Sequence, residues 1–131
     1  MCMNEESYNV LFLDDDPIRW SSFEPAIQIF GTKNGFNIDV IWVTSVNSAK
    51  DALSNRLFES VFLDHDLGGV PFVDSGPGTG YEVAEFILEE LDYLPPQIII
   101  HSLNPAGSQN MQRVLPTSRI IPFPILLKEI Q

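Results

Sequence analysis

Three apolar runs, each ending abruptly in polar residues, constrain this chain more than any other feature. Val10-Leu11-Phe12-Leu13 runs into Asp14-Asp15-Asp16, Val61-Phe62-Leu63 into Asp64-His65-Asp66, and Ile98-Ile99-Ile100 into His101-Ser102. A short run that is apolar at every position suits a strand covered on both faces, which is the habit of parallel sheets. If the three strands lie side by side and parallel, their polar ends meet along one edge.

The intervening sequence supports that arrangement. After Tyr8 to Leu13, Asp16-Pro17 reads as an N-cap acid followed by proline at the first helical position. Trp20, Phe23, Ile27 and Phe30 recur at helical spacing toward a core, and Pro25 is expected to kink or restart the helix. Gly31 to Gly35 reads as a turn and Phe36 to Val43 as a second strand. Ser45 or Asn47 caps a helix carrying Ala49, Ala52, Leu53 and Leu57. Ser60 to Leu63 is the third strand. The segment from Gly68 to Gly80, rich in glycine and proline, is long enough to be a lid or a binding loop. A helix with Ala84, Ile87, Leu88 and Leu91 on its apolar stripe follows, then the strand Gln97 to Ile100. Asn104-Pro105 opens a helix containing Met111, Val114 and Leu115. Arg119 to Ile121 forms a short fifth strand, broken by Pro122 and Pro124, and Ile125 to Ile130 forms a stub of helix. Strict alternation of strand and helix implies a parallel sheet with helices on both faces, an αβα sandwich, and ligands in such folds bind at the carboxyl ends of the strands.

Charge narrows the partners. A formal net charge of −11 over 131 residues disfavours binding to double-stranded DNA or an anionic membrane, both of which recruit basic patches. The acidic balance serves solubility or gathers carboxylates at a metal site. No apolar run reaches the length of a membrane span. The single cysteine, Cys2, permits no internal disulfide, which suits a reducing cytoplasm, and the polar, acidic start is unlike a signal peptide. The sequence carries no signal of oligomeric state.

The chemistry is expected at the strand ends. Asp14, Asp15, Asp16, Asp64 and Asp66 come from two neighbouring strand ends, and carboxylates brought together need protons, basic residues or a cation. Asp16 is read as a helix cap, and Asp14 or Asp15 with Asp64 as a seat for Mg²⁺ or another divalent cation. The two histidines, His65 and His101, both follow a strand directly, and together can supply a general base and a general acid near neutral pH. They can alternatively ligate a metal, although no third soft ligand is evident. For a phosphate, Asn104-Pro105-Ala106-Gly107 offers the free amides of a helix start beside His101 and Ser102, and Thr79-Gly80 offers the same one helix earlier. Arg19 is placed to grip a phosphate with two hydrogen bonds, or to pair with nearby acids. Ser102 is a hydrogen-bond donor with no arrangement that would make it a nucleophile.

Leu13-Asp14-Asp15, Leu63-Asp64 and Ser102 resemble the response-regulator receiver domain. That resemblance implies one receiver-like domain over residues 1–131, a five-stranded parallel sheet of order 2-1-3-4-5, Mg²⁺ on the paired acids and a phosphorylated aspartate at Asp64. The fifth strand of a receiver ends in lysine, whereas this chain reads Ile120-Ile121-Pro122-Phe123 there, and its last helix looks truncated. A divergent branch, the cyclic-phosphate processing receiver-like domains, is more similar. Asp14-Asp15 with Arg19, Leu63-Asp64-His65-Asp66-Leu67, Thr79-Gly80, and His101-Ser102-Leu103-Asn104 with Gly107 match its pattern. This resemblance implies an enzyme acting on cyclic phosphates in RNA repair or in conflict between phage and host.

The leading expectation is therefore a phosphoesterase that opens a cyclic phosphate on an RNA end or a cyclic nucleotide. His65 and His101 would act as base and acid, with Asp64 as a further catalytic residue. Asp14, Asp15 and Asp64 would hold the cation, and Arg19, Thr79, Ser102, Asn104 and Gly107 the phosphate. The alternatives are a binder that sequesters a cyclic nucleotide signal beneath the glycine-rich loop, and a signalling receiver phosphorylated on Asp64.

Overall fold

The computed structural model describes residues 6–131; Cys2 lies outside them. Ten elements alternate along the chain: β1 (Glu6–Leu13), α1 (Pro17–Asn34), β2 (Phe36–Val43), α2 (Val46–Asn55), β3 (Ser60–Leu63), α3 (Gly80–Glu90), β4 (Gln97–Ile100), α4 (Pro105–Val114), β5 (Arg119–Ile120) and α5 (Phe123–Ile130). The strands form one parallel sheet of order β2-β1-β3-β4-β5. Two apolar cores flank it. Leu11, Leu13, Val61, Leu63, Ile98 and Ile100 face α2, α3 and α4, whereas Val10, Phe12, Phe62 and Ile99 face α1 and α5. The alternation follows from the two-residue period of a strand.

Register sets what happens at the carboxyl edge. Leu13 pairs with Leu63, and Leu63 with Ile100. The next residues, Asp14, Asp64 and His101, are therefore level with one another. By the strand period they fall on the side of Phe12, Phe62 and Ile99, facing α1 and α5. One position further along, His65 turns to the opposite side, against Gly107 of α4, whereas Asp15 and Ser102, past the ends of their strands, stay at the same edge as Asp64 and His101.

Several local expectations change. Helix α1 continues through Gly31 to Asn34, and only Gly35, at φ 80°, caps it. Gly31 stays helical and buried because α1 packs closely on β2; a Cβ there would lie 2.7 Å from Ile38. Pro25 interrupts nothing, since it and Ser21, whose carbonyl it deprives of a partner, both lie on the exposed face of α1. Ser45 is the cap of α2, in a reciprocal pair with Ser48, and Asn47 lies inside the helix. Phe30, Leu57 and Leu88 are exposed. The stripe of α3 is Val83, Ala84 and Ile87, which turns Leu88 to solvent, and Leu57 lies beyond the end of α2. The β5 ladder is two residues long, but the Ile121 amide still donates to the Ile100 carbonyl. Helix α5 has eight residues. No helix among the described residues is long and apolar enough to cross a membrane.

Candidate active site

The register places Asp14 beside Asp64 at the carboxyl edge, and it is fully buried. Its Oδ2 accepts from Arg19 Nε at 2.7 Å and from His101 Nε2 at 2.9 Å. Its Oδ1 accepts from Arg19 Nη2 at 3.0 Å and from the Asp16 amide at 2.9 Å. Burial alone would raise the pKa of this carboxyl, but the hydrogen bonds from His101 and Arg19 outweigh it and hold Asp14 below the ordinary range. Its carbonyl is fixed by Trp42 Nε1 at 2.8 Å, and the Trp42 ring stacks on Trp20 of α1. His101 is held by more than that one bond. Its ring stacks on Phe12 at 4.9 Å between centroids and meets Phe123 edge-on. The imidazole is thus clamped in one plane with one nitrogen on a carboxylate, an arrangement that fixes both tautomer and orientation.

Asp64 is the unusual group. It is 4 % exposed, its Oδ1 accepts from the His65 amide, and its Oδ2 has no hydrogen-bond partner among the described residues. Arg19 Nη2 approaches to 3.5 Å, too far for a well-formed bond. Burial raises its pKa from 3.8 to about 6; the Asp14 charge adds to the rise, and His101 and Arg19 oppose it. Nδ1 of His101 is likewise buried without a partner among the described residues, and two unpaired polar atoms in one buried cluster mark the place a ligand would complete.

Asp64, Arg19 and His101 open onto a cavity of about 560 Å³, whose lining also includes the polar Asp15, Asp16, Asp66 and Ser102 and the apolar Val70, Pro71, Phe72 and Leu103. Ser102 is buried, and its Oγ accepts from the Asn104 amide at 3.0 Å, so its proton is free to be donated.

Other expected members of the site are not brought there. His65 is fully buried but does not line the cavity. Its Nδ1 bonds Asp66 Oδ1 at 2.7 Å, its Nε2 bonds Ser75 Oγ at 2.9 Å, and its ring lies against Gly107 of α4. The structure therefore does not bring His65 and His101 together at the cavity. His101 is the first residue after its strand and His65 the second, so the two-residue period sends the rings to opposite sides. Thr79 spends its hydroxyl on the cap of α3 and on Gly76. Asn104 accepts from the Gly107 amide through Oδ1, while its Nδ2 donates to Asp66 Oδ1 and to the Val73 carbonyl. Asn104, Gly107 and Thr79 therefore hold the loop and the helix ends, with no group left for a phosphate. Asp15 lines the cavity, but its Oδ2 accepts from the amides of Gly68 and Gly69, outside the Asp14 cluster. Asp66 was not expected as a site residue. It ties His65, Asn104 and the Phe72 amide together, and its place between the third strand and the long loop was the available signal.

One ligand atom each of Asp14, Asp64 and His101 lies within 4.8 Å of the others. Two carboxylates and an imidazole fit a divalent cation in donor type, and the open Oδ2 of Asp64 favours it. Arg19 competes for the same ground, because its guanidinium already bridges Asp14, Asp16 and Asp64.

The parallel 2-1-3-4-5 sheet with acids at the β1 and β3 ends defines a receiver-type domain. Solved receivers share the fold. That of a Pseudomonas aeruginosa sensor histidine kinase, with magnesium coordinated in its active-site cleft, superposes with a TM-score of 0.69 at 15% identity over 95% of each chain. A receiver domain from Methylobacillus flagellatus gives 0.66 at 16% identity, covering 96% of this chain and 100% of the other. The non-phosphorylated HemR receiver domain from Leptospira biflexa gives 0.61 at 22% identity, covering 93% and 86%. Comparison with curated proteins yields no significant match. Within the receiver class, residues 9–117 match the family model of the cyclic-phosphate processing receiver domain, and the chain belongs to that family.

Proposed function

We propose that the protein is a phosphoesterase that opens a cyclic phosphate by adding water. The observation that carries this reading is the buried His101–Asp14 pair beside an Asp64 whose Oδ2 is unpartnered and whose pKa burial raises to about 6, on the lining of one cavity. The ring phosphate binds with its oxygens toward Arg19 and the Ser102 hydroxyl. His101, with Asp14 holding its Nε2–H, keeps one unpartnered nitrogen, the buried Nδ1, and this nitrogen takes a proton from a water admitted with the substrate as the new P–O bond forms. The ring P–O bond breaks, and Asp64, with a pKa near 6, delivers its proton to the departing alkoxide. A carboxyl poised that close to neutrality is suited to general acid work. A divalent cation held by Asp14 and Asp64 would polarise the phosphoryl oxygens and keep Asp64 ionised, so it is an alternative to the Asp64 proton and not an addition to it. His65 acts at one remove, by positioning Asp66 and the loop.

The test is a panel of RNAs with 2′,3′-cyclic ends, nucleoside 2′,3′-cyclic phosphates and cyclic di- and trinucleotides, incubated with and without Mg²⁺ and resolved by chromatography. The reading requires that one member be converted to a phosphomonoester or opened diester by wild type and not by His101→Ala. Retention of unaltered nucleotide with no product would identify a binder instead. The open Oδ2 of Asp64 also favours a second reading, phosphorylation of Asp64, which labelling by acetyl phosphate that vanishes in Asp64→Ala would reveal.

A further inference from the structure

The Gly68–Gly80 loop contains a feature the phosphate chemistry leaves unexplained. Phe72 has φ 57°, in the left-handed region, where an aromatic side chain is rarely found and which persists only when its surroundings enforce it. The enforcement is visible on both sides. The Phe72 amide donates to Asp66 Oδ2 at 2.6 Å, and Asp66 is itself held by His65 and Asn104. Before it, Asp15 takes the amides of Gly68 and Gly69. After it, Asn104 binds the Val73 carbonyl, and Ser75 is bound by His65 and Asn110. All this ordering holds a ring that belongs to neither core and is 68 % exposed. Phe72 lines the same cavity as Asp64 and His101, whose lining also includes Val70, Pro71 and Leu103.

We propose that Phe72 is the stacking platform for the nucleobase of the substrate, so that the site selects nucleotides over base-free cyclic phosphates. The inference rests on the phosphate site proposed above. The cavity falls within the usual range for a small-molecule site, and its lining contains both polar groups for a phosphate and apolar groups for a flat ring. Every base has a π face, so stacking tolerates all bases. The same geometry assigns the buried half of the Asp64-His65-Asp66 stretch. Asp64 serves the phosphate, while His65 and Asp66 are positioning residues for the ring.

Isothermal titration of wild type, Phe72→Gly and Phe72→Tyr against a nucleoside 3′-monophosphate and against glycerol phosphate tests this without turnover. Wild type is expected to bind the nucleotide at least tenfold more tightly. Phe72→Gly, whose glycine accepts the positive φ, should lose roughly 5- to 150-fold for the nucleotide alone, and Phe72→Tyr should stay within about threefold of wild type. A wild type that binds neither probe, or binds both equally, overturns the proposal, and so does Phe72→Gly that retains the preference. Should Phe72→Gly fail to fold, the wild-type preference and Phe72→Leu carry the test. Phe72-dependent nucleotide binding with no cyclic phosphate opened would sink the hydrolase reading alone. Opening of cyclic phosphates irrespective of base and of Phe72 would sink this inference alone.

Discussion

Asp64→Asn should stabilise the protein at neutral pH and do little in acid. The wild-type carboxyl is raised from 3.8 to about 6, and a pH unit is worth about 1.4 kcal/mol, so ionising Asp64 in the folded state costs about 3 kcal/mol. At 4 % exposure, solvent screening removes little of that. The sign follows from linkage. A carboxyl raised on folding contributes stability that is complete below 3.8 and is lost as pH rises through about 6. Asparagine keeps the bond from the His65 amide and cannot ionise. Urea unfolding of both proteins at pH 4 and 7.5 should show the advantage of the variant growing by about 2.5 kcal/mol between the two. Shifts on Asp14 and Asp66 are common to both proteins and largely cancel. A difference that does not change with pH, or a variant less stable at pH 7.5, would refute the claim that Asp64 is a buried carboxyl with a near-neutral pKa.

Three further substitutions probe the supports of the site. Gly80→Ala would drive a Cβ into the Asp64 carbonyl and to 3.0 Å from the His65 Cα, so overpacking should cost about 3 kcal/mol or more in chemical denaturation. Gly107→Ala would put a Cβ 2.5 Å from the His65 ring; the ring must shift, and limited proteolysis should then cut between residues 68 and 78 faster than in wild type. Arg19→Ala removes the cation bridging Asp14, Asp16 and Asp64. A unit charge at about 4 Å is worth about 1 to 4 kcal/mol in partly exposed surroundings, so Mn²⁺ affinity measured by electron paramagnetic resonance should rise roughly tenfold or more.

Much of the architecture was legible because parallel strands buried on both faces are apolar at every position, and because Asp16, Ser45, Thr79 and Asn104 each announce a helix. The central trio was partly legible. Asp14, Asp64 and His101 each follow an apolar run immediately, and register makes them level. His65 follows one residue later and turns to the other side, and the two-residue period that moves it there is present in the sequence. Thr79, Asn104 and Gly107 were chosen for their resemblance to anion-binding helix starts. Whether such a start is free depends on which loop comes to claim it, and that is a tertiary matter. Phe72 had no periodicity to mark it. Its importance comes from three hydrogen-bonded anchors far apart in sequence, Asp15, Asp66 and Asn104.

The most direct test of the account is ³¹P NMR of a nucleoside 2′,3′-cyclic phosphate incubated with wild type and with His101→Gln. The account predicts that the cyclic resonance disappears with wild type as a monoester resonance grows, and that it persists with the variant. A resonance unchanged by wild type at every pH between 5 and 8, or consumed equally by His101→Gln, would contradict it.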